Sequence, residues 1–222
     1  MSTQNGVTQS AQASTSTITD TFDGDTVDIV DPTIWNEFTT DANVTIVQRR
    51  SRLEVSVGPD AMRGGEYNQI DVHVGTRCRF PGDFDARVDF ALIEWPSDDK
   101  VFVGLNAFYA DSAVGRVSIS AFDGYSSWIL PGGHTTSVGD AHAGSLRIER
   151  VGGALKTYVW HRDGWFMLVA GRSRKDAVLG LQAMSFGQDT QFGHKRVTVA
   201  FDNFTVTAAR MICPPGSEPP QF

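Results

Sequence analysis

The sequence predicts an all-β protein, a two-sheet antiparallel β-sandwich of the jelly-roll type. Three observations favour this class. Apolar and polar residues alternate in short runs, turn residues separate the runs, and helical periodicity is nearly missing. Short alternating strands at regular spacing are typical of sandwiches and jelly rolls. With 222 residues, of which 41% are hydrophobic, the chain is long enough for one such domain with a sizeable core.

The predicted strands follow the alternation, and each ends where turn residues interrupt it. Gly58-Pro59 closes an early strand, Pro81-Gly82-Asp83 opens the longest one, and Gly152-Gly153 forms the clearest hairpin turn. One helical turn is predicted over residues 31–38, with Asp31 as its cap. We expect strands over residues 44–47, 53–57, 69–74, 84–92, 101–109, 117–122, 145–151, 155–161, 165–169, 178–184 and 197–207.

Two aspartate-aromatic motifs predict that the first and last strands of the core meet. Asp20-Thr21-Phe22-Asp23-Gly24 stands near the start and Phe201-Asp202-Asn203-Phe204 near the end. Residues 1–17 are rich in Ser, Thr and Gln and predict a flexible polar arm. Residues 212–222 are rich in proline, which cannot donate to a sheet, and predict an extended tail. The domain prediction is one sandwich over residues 18–211.

Composition argues against several classes of partner. The net charge of −7 opposes a phosphate-binding surface, so nucleic acid is not expected. No stretch approaches the roughly 18 apolar residues that cross a membrane, and the N-terminus lacks the apolar segment of a Sec signal peptide. Cys78 and Cys213 either form a disulfide that ties the tail to the body or remain thiols. The sequence leaves a homo-oligomer open.

Short motifs along the core resemble those of a known family. They are Phe22-Asp23-Gly24, Asp31-Pro32-x-x-Trp35, Gly82-Asp83-Phe84-Asp85, Leu146-Arg147-Ile148-Glu149-Arg150 and Phe201-Asp202-Asn203-Phe204. Over residues 19–207 the chain resembles bacterial domains of the concanavalin A-like lectin/glucanase superfamily, which includes laminin G-like modules. The resemblance implies two curved sheets, a concave face that often holds saccharides, and an extracellular or cell-surface location. That superfamily contains lectins, glycoside hydrolases and polysaccharide lyases, and fold alone does not choose among them.

The catalytic motifs of that superfamily do not occur in this chain. Its retaining glucanases carry a Glu-x-Asp-x-x-Glu strand motif, which the sequence lacks. Its alginate lyases use Gln-x-His, and Gln69 and His73 are four residues apart rather than two. We therefore expect a non-catalytic, lectin-like protein that binds a glycan on its concave face or rim. The alternatives are a polysaccharide-degrading hydrolase or lyase, and a structural or adhesion subunit of a surface assembly or virion.

Polar strand residues are the first candidates for ligand binding. Alternation places Asp71 and His73 on one side of their strand, together with Gln69. Arg87 and Asp89 share one side of a strand that is expected to lie nearby. Together these groups can hydrogen-bond sugar hydroxyls, or supply a His base and a carboxylate. The plain alternative is the solvated outer face of a half-buried sheet.

Loop aromatics are the second candidates. Tyr125 and Trp128 lie close to a glycine-rich segment that ends at His134. The apolar C–H faces of a sugar stack on such rings, and loops carry function more often than strands do. The plain alternative is that these aromatic rings pack in the core.

An acidic segment near the N-terminus predicts a structural calcium site. It places five carboxylates within twelve residues, and Asp202 would lie close if the termini pair. Calcium takes six to eight oxygen ligands, so the predicted ligands are Asp23, Asp25, Asp28 and Asp202. The alternative is that these aspartates only cap turns and increase solubility.

Overall fold

The computed structural model is built from strands that pair into two antiparallel sheets, which confirms the predicted all-β sandwich. It describes residues 15–24, 30–39, 43–59, 61, 69–95, 101–109, 112–120, 124–129, 133–137, 141–186 and 196–215. Within these ranges the regular structure is strand, and no helix is long and apolar enough to cross a membrane.

The strands occur in the places that alternation predicts, with additional short ones between them. They are β1 (Ser16–Asp20), β2 (Trp35–Thr39), β3 (Val44–Gln48), β4 (Leu53–Val57), β5 (Gln69–Thr76), β6 (Phe84–Glu94), β7 (Val101–Tyr109), β8 (Ser112–Ser120), β9 (Gly124–Ile129), β10 (His134–Ser137), β11 (Ala143–Val151), β12 (Ala154–His161), β13 (Gly164–Arg172), β14 (Val178–Phe186) and β15 (Val197–Ala208).

The two sheets face each other across one hydrophobic core. Sheet I has the order β13-β12-β11-β6-β15-β4-β3, with β1 also paired to β15. Sheet II has the order β10-β9-β8-β7-β14-β5-β2. Alternate side chains of each strand point inward, because successive residues of a strand face opposite sides. The buried residues include Val88, Ile148 and Val206 of sheet I and Val72, Leu105 and Leu181 of sheet II.

The first and last strands meet, as the two aspartate-aromatic motifs predict. β1 pairs antiparallel with β15 from Ser16 opposite Ala208 to Asp20 opposite Phe204. Asp20 accepts hydrogen bonds from the Phe22 backbone at 2.7 Å and from the Trp35 indole at 2.7 Å. The Trp35 ring packs edge-on against Phe204 with 4.7 Å between ring centroids. One carboxylate thus orients the aromatic corner that closes the sandwich.

The end of the chain is tied back to the body. Cys78 and Cys213 form a disulfide with a Cα–Cα distance of 4.1 Å. Beside it, Ile212 and Arg79 exchange backbone hydrogen bonds of 2.8 and 2.9 Å. Of the two arrangements that the sequence left open, the structure has the disulfide.

The predicted helical turn is a single turn that leads into a strand. The Trp35 backbone donates to the Asp31 carbonyl at 2.9 Å, and the Asp31 side chain accepts from the Thr33 backbone at 2.8 Å. Residues 35–39 then form β2 instead of continuing the turn, because they pair with β5 at the edge of sheet II.

Candidate functional site

The predicted polar strand residues lie on opposite sides of the sandwich. β5, with Asp71 and His73, belongs to sheet II, whereas β6, with Arg87 and Asp89, belongs to sheet I. The inward neighbours of both pairs are buried in the common core. The expectation that these four side chains form one site is therefore wrong, because the chain crosses between sheets after β5.

The outward side of sheet II carries a polar cluster, which we call the polar face. It consists of Asp71, His73, Asn106, Arg116 and Gln182. Strand pairing brings them together, since Gln182 lies opposite His73 and Asn106 lies opposite Arg116. The inward residues of β5 are buried, as the alternation in its sequence predicts.

Hydrogen bonds link three members of the polar face into a chain. The Asn106 Nδ2 atom donates to Gln182 Oε1 at 2.5 Å, and the Gln182 Nε2 atom donates to Asp71 Oδ1 at 2.8 Å. Asn106 and Gln182 are both buried, although they point away from the core. Within the described residues, the buried atoms Asn106 Oδ1 and His73 Nε2 have no hydrogen-bond partner. Such atoms are rare in native proteins, so they indicate a place where a polar ligand or water completes the network.

His73 is held beside an aromatic ring. Its imidazole packs edge-on against Phe108 with 4.3 Å between ring centroids. A Cβ atom at Gly180 would lie 3.0 Å from the Phe108 ring and 3.2 Å from His73 Nδ1, so glycine leaves the room that this pair needs. Burial lowers the pKa of His73, and the nearby charge of Asp71 opposes that lowering. The imidazole is therefore neutral at pH 7, with one nitrogen able to accept a hydrogen bond.

The lowered pKa of His73 makes stability depend on pH. The unfolded chain binds this proton more readily than the folded protein does. The contribution of His73 to stability is therefore fully present above the unfolded pKa of about 6.5, and it is lost as the pH falls below that value. We expect the urea concentration at the unfolding midpoint to decrease when the pH is lowered from 7 to 5.5. In His73→Gln this decrease should be smaller. His142→Gln, at an exposed histidine, is the matched control. Equal slopes for wild type and His73→Gln would contradict this prediction.

Arg116 adds a cation to the polar face. Burial lowers its pKa to about 10, and the charge of Asp71 works against that shift. The guanidinium lies 5.4 Å from the centroid of the Phe102 ring. Arg116 therefore remains charged at pH 7 and gives the face a donor beside an aromatic surface.

Comparisons with known proteins identify the fold. No protein-family model matches the chain, and no curated protein matches it by sequence. A Mycobacterium tuberculosis protein described as an immunostimulatory antigen and pseudo beta-1,3-glucanase is 12% identical, with a TM-score of 0.61 over 87% of this chain and 98% of its own. A structure from a study of mucin-degrading endo-acting O-glycanases of the human gut microbiota is 13% identical, with a TM-score of 0.58 over 86% of this chain and 98% of its own.

A sialidase gives a third match. It is 9% identical, with a TM-score of 0.54 over 79% of this chain, and the match spans 17% of the sialidase chain. The chain shares the β-sandwich fold of these proteins. At such identities the likeness extends to the fold alone, and the site has to be argued from its own residues.

Carboxylates are sparse on the polar face. Among the described residues of sheet II, Asp71 is the one acid on this side, since Glu37 pairs with the inward Val74. Glycoside hydrolysis by the usual mechanisms needs two carboxyl groups, about 5 to 10 Å apart. Within the described part of the chain, the polar face therefore offers hydrogen-bonding groups without such a pair.

The expectation that Tyr125 offers a stacking surface is wrong. The side chain is only 5% exposed and packs edge-on against Phe90 of the opposite sheet, with 6.5 Å between ring centroids. Burial raises the pKa of its hydroxyl. Alternation back from the buried Ile129 and Ser127 places Tyr125 inward, and this signal was available in the sequence.

The remaining aromatic candidates follow Arg116 across sheet II. Trp128 of β9 pairs with Arg116 on one side and with His134 of β10 on the other. His134 is exposed. The side chain of Trp128 lies outside the part of the chain that the structure describes, so its role stays a prediction.

The predicted calcium ligands are described only in part. Asp25 and Asp28 lie outside the described residues, and within those residues no three His, Cys, Asp or Glu side chains group to hold a metal. Asp23 is exposed. Burial raises the pKa of Asp202, the Asn203 backbone lowers it, and the charges of Asp89 and Asp23 raise it further. The charges of Asp23 and Asp202 are thus close enough to repel each other.

Three residues of the polar face were not predicted from the sequence. Asn106 lies between the apolar Leu105 and Ala107 in β7, Gln182 lies between Leu181 and Ala183 in β14, and Arg116 follows a glycine in β8. The available signal was a large polar side chain between apolar or glycine neighbours in a strand. Such a residue indicates either an internal hydrogen bond or a site.

Proposed function

We propose that this protein is a non-catalytic, lectin-like module that binds a glycan on its polar face. The observation that carries the proposal is the hydrogen-bonded chain from Asp71 through the buried Gln182 to the buried Asn106, beside two buried atoms without partners. Sugar hydroxyls both donate and accept, so their chemistry suits unpaired polar atoms such as Asn106 Oδ1 and His73 Nε2. A ligand site of this kind needs few polar groups, provided that they are held in place.

The fold supports a glycan as ligand, and the carboxylates support binding over cleavage. Proteins described as a pseudo beta-1,3-glucanase and as endo-acting O-glycanases have the same sandwich, which favours a glycan as ligand. The single described acid on the polar face favours recognition without hydrolysis. We propose the same lectin-like class as the laminin G-like modules, without nucleic acid as a partner. The disulfide favours an oxidising compartment, in agreement with an extracellular or cell-surface location.

Structural calcium is a further part of this proposal. Asp23 and Asp202 would contribute oxygens at the junction of the first and last strands, with Asp25 and Asp28 as the other predicted ligands. Their carboxylates suit a hard cation that takes several oxygens. Bound there, calcium would neutralise the mutual repulsion of Asp23 and Asp202.

A glycan array on the purified protein tests the proposed function. It is run with calcium and with chelator, and positive polysaccharides are then assayed for new reducing ends. We expect binding without product, and weaker binding with chelator if calcium supports the domain. New reducing ends would make the protein an enzyme. If no glycan on the array binds, the result would favour the structural or adhesion subunit. Size-exclusion chromatography would then test whether the protein forms an oligomer.

Substitution of His73 tests whether the glycan binds at the polar face. His73→Ala is expected to weaken glycan binding by about tenfold or more, because it removes a hydrogen-bonding group in a desolvated site. His142→Ala removes an exposed histidine near the end of sheet I and is the matched control. Trp128→Ala tests the predicted stacking residue in the same assay. Unchanged binding by His73→Ala would move the glycan away from the polar face.

A further inference from the structure

A cavity of about 300 Å³ lies on the outward side of sheet I, across the core from the polar face. We call it the outer groove. β6, β11 and β15 form its floor, where Asp89 lies opposite Ser145 on one side and opposite Asp202 on the other. The register of β15 shifts between Asp202 and Thr205, and Asn203 has a positive φ of 50°. This bulge turns the Asn203 side chain towards β6. The lining residues that matter here are Arg87, Asp89, Ser145, Trp165, Asn203 and Thr205.

Asp89 is fixed in the groove by two donors. Its Oδ1 atom accepts from Ser145 Oγ at 2.5 Å, and its Oδ2 atom accepts from Asn203 Nδ2 at 2.9 Å. An ionised carboxylate has about four acceptor positions, so about two remain for a ligand. Thr205 adds a hydroxyl that can donate or accept. The groove therefore presents oriented acceptors that suit the hydroxyl groups of a sugar.

Trp165 forms the aromatic wall of the groove. Its indole is half-buried and packs edge-on against Trp160 with 5.4 Å between ring centroids. The guanidinium groups of Arg87 and Arg147 each lie 5.8 Å from its centroid. The ring is thus held by neighbours while part of it still lines the cavity. A rigid aromatic group beside oriented polar groups is typical of a binding hot spot.

The charges around the groove oppose an anionic ligand. Arg87 and Arg147 both pair with Asp85, at 2.6 and 2.7 Å, and Arg147 also pairs with Glu149 at 2.7 Å. Both guanidinium groups therefore have carboxylate partners, whereas the described bonds of Asp89 come from neutral donors. A uronate or sialate would meet the negative charge of Asp89, so the chemistry favours a neutral saccharide.

We propose that the outer groove is a second glycan site, specific for neutral saccharides, so that one chain can hold two glycan strands on opposite faces. The two sites share a ligand class but no residue. Stacked sheets lie about 10 Å apart, so the core separates the two sites and each can be lost alone. A single copy would then cross-link a polysaccharide without forming an oligomer.

Titration calorimetry with neutral oligosaccharides tests the second site. The probes are cellohexaose, laminarihexaose and mannohexaose, with a hexauronate as the acidic comparison. We expect the wild type to bind at least one neutral probe at two sites per chain. The single variants Trp165→Ala and His73→Ala should each bind it at one site. Asp89→Asn, which keeps the size of the side chain, should weaken the groove site about fivefold or more, and it replaces Trp165→Ala if that variant fails to fold. Affinity at the groove should change less than about twofold between 0.05 and 0.5 M NaCl, because no net ion pair forms.

Phe166→Ala is the matched control. Phe166 follows Trp165 in β13, pairs with the inward Val159 and is 58% exposed. It should leave two sites per chain. If the wild type has one site and that site is unchanged in Trp165→Ala and Asp89→Asn, the second site is overturned and the proposed function is left intact. One site that is lost in Trp165→Ala but kept in His73→Ala would support the groove and overturn the polar face. No binding of any neutral probe, or salt-sensitive binding of the hexauronate in the groove, would overturn the inference.

Discussion

Arg150→Met is expected to lower the free energy of unfolding by about 3 to 5 kcal/mol. Arg150 is only 1% exposed and lies on the core side of β11. It donates hydrogen bonds to the carbonyl oxygens of Phe80, Gly82 and Lys175 and to the Tyr109 hydroxyl. Methionine fills much of the same volume but donates nothing, so several buried oxygens lose their partner. Each such loss costs about 1 to 3 kcal/mol.

Urea unfolding of the wild type and three variants measures this effect. Arg150→Lys keeps the charge, but a single ammonium cannot reproduce the planar fork of donors, so it should also destabilise by more than about 1.5 kcal/mol. Arg172→Met, at an exposed position at the end of β13, should change stability by less than about 0.5 kcal/mol. A loss below about 1 kcal/mol for Arg150→Met would mean that water or neighbouring donors replace the guanidinium.

Arg150 also illustrates what alternation can and cannot predict. In Leu146-Arg147-Ile148-Glu149-Arg150 the pattern places position 150 on the same side as Leu146 and Ile148, which are buried. The sequence therefore contained the signal for a buried arginine. It contained no signal for its partners, because Phe80, Gly82 and Lys175 come from two distant segments that only the folded chain brings together.

The strands themselves were largely predictable from local pattern. Val, Ile and Phe alternate with polar residues in β4, β5 and β6, and Gly or Pro marks their ends. The pairing of the termini followed from two aspartate-aromatic motifs, and it is confirmed. β9 and β10 were missed because their sequences, Gly124–Ile129 and His134–Ser137, are rich in Ser and Thr and carry little apolar alternation.

The candidate site was predictable only within single strands. Asp71 and His73 share an outward side, as their spacing predicts, because the period of a strand is two. Which strands become neighbours is decided by tertiary packing, so consecutive strands such as β5 and β6 can enter different sheets. For the same reason Gln182, about 110 residues from Asp71, joins it in one hydrogen-bonded chain. The sequence therefore predicted Asp71 and His73 of the polar face but not the residues from the neighbouring strands.

Removal of the disulfide is expected to destabilise the protein by about 2 to 4 kcal/mol. The bridge joins residues 135 positions apart, so it restricts a long loop of the unfolded chain. Cys78 is buried, and the bridge also keeps the Ile212 and Arg79 backbones in contact after β15 ends. The double variant Cys78→Ala/Cys213→Ala should therefore unfold at lower urea. The wild type in dithiothreitol should match the double variant, and dithiothreitol should leave the double variant unchanged. If wild type and double variant differ by less than about 0.5 kcal/mol, the contacts of sheet I alone hold the end of the chain, and the disulfide adds no stability.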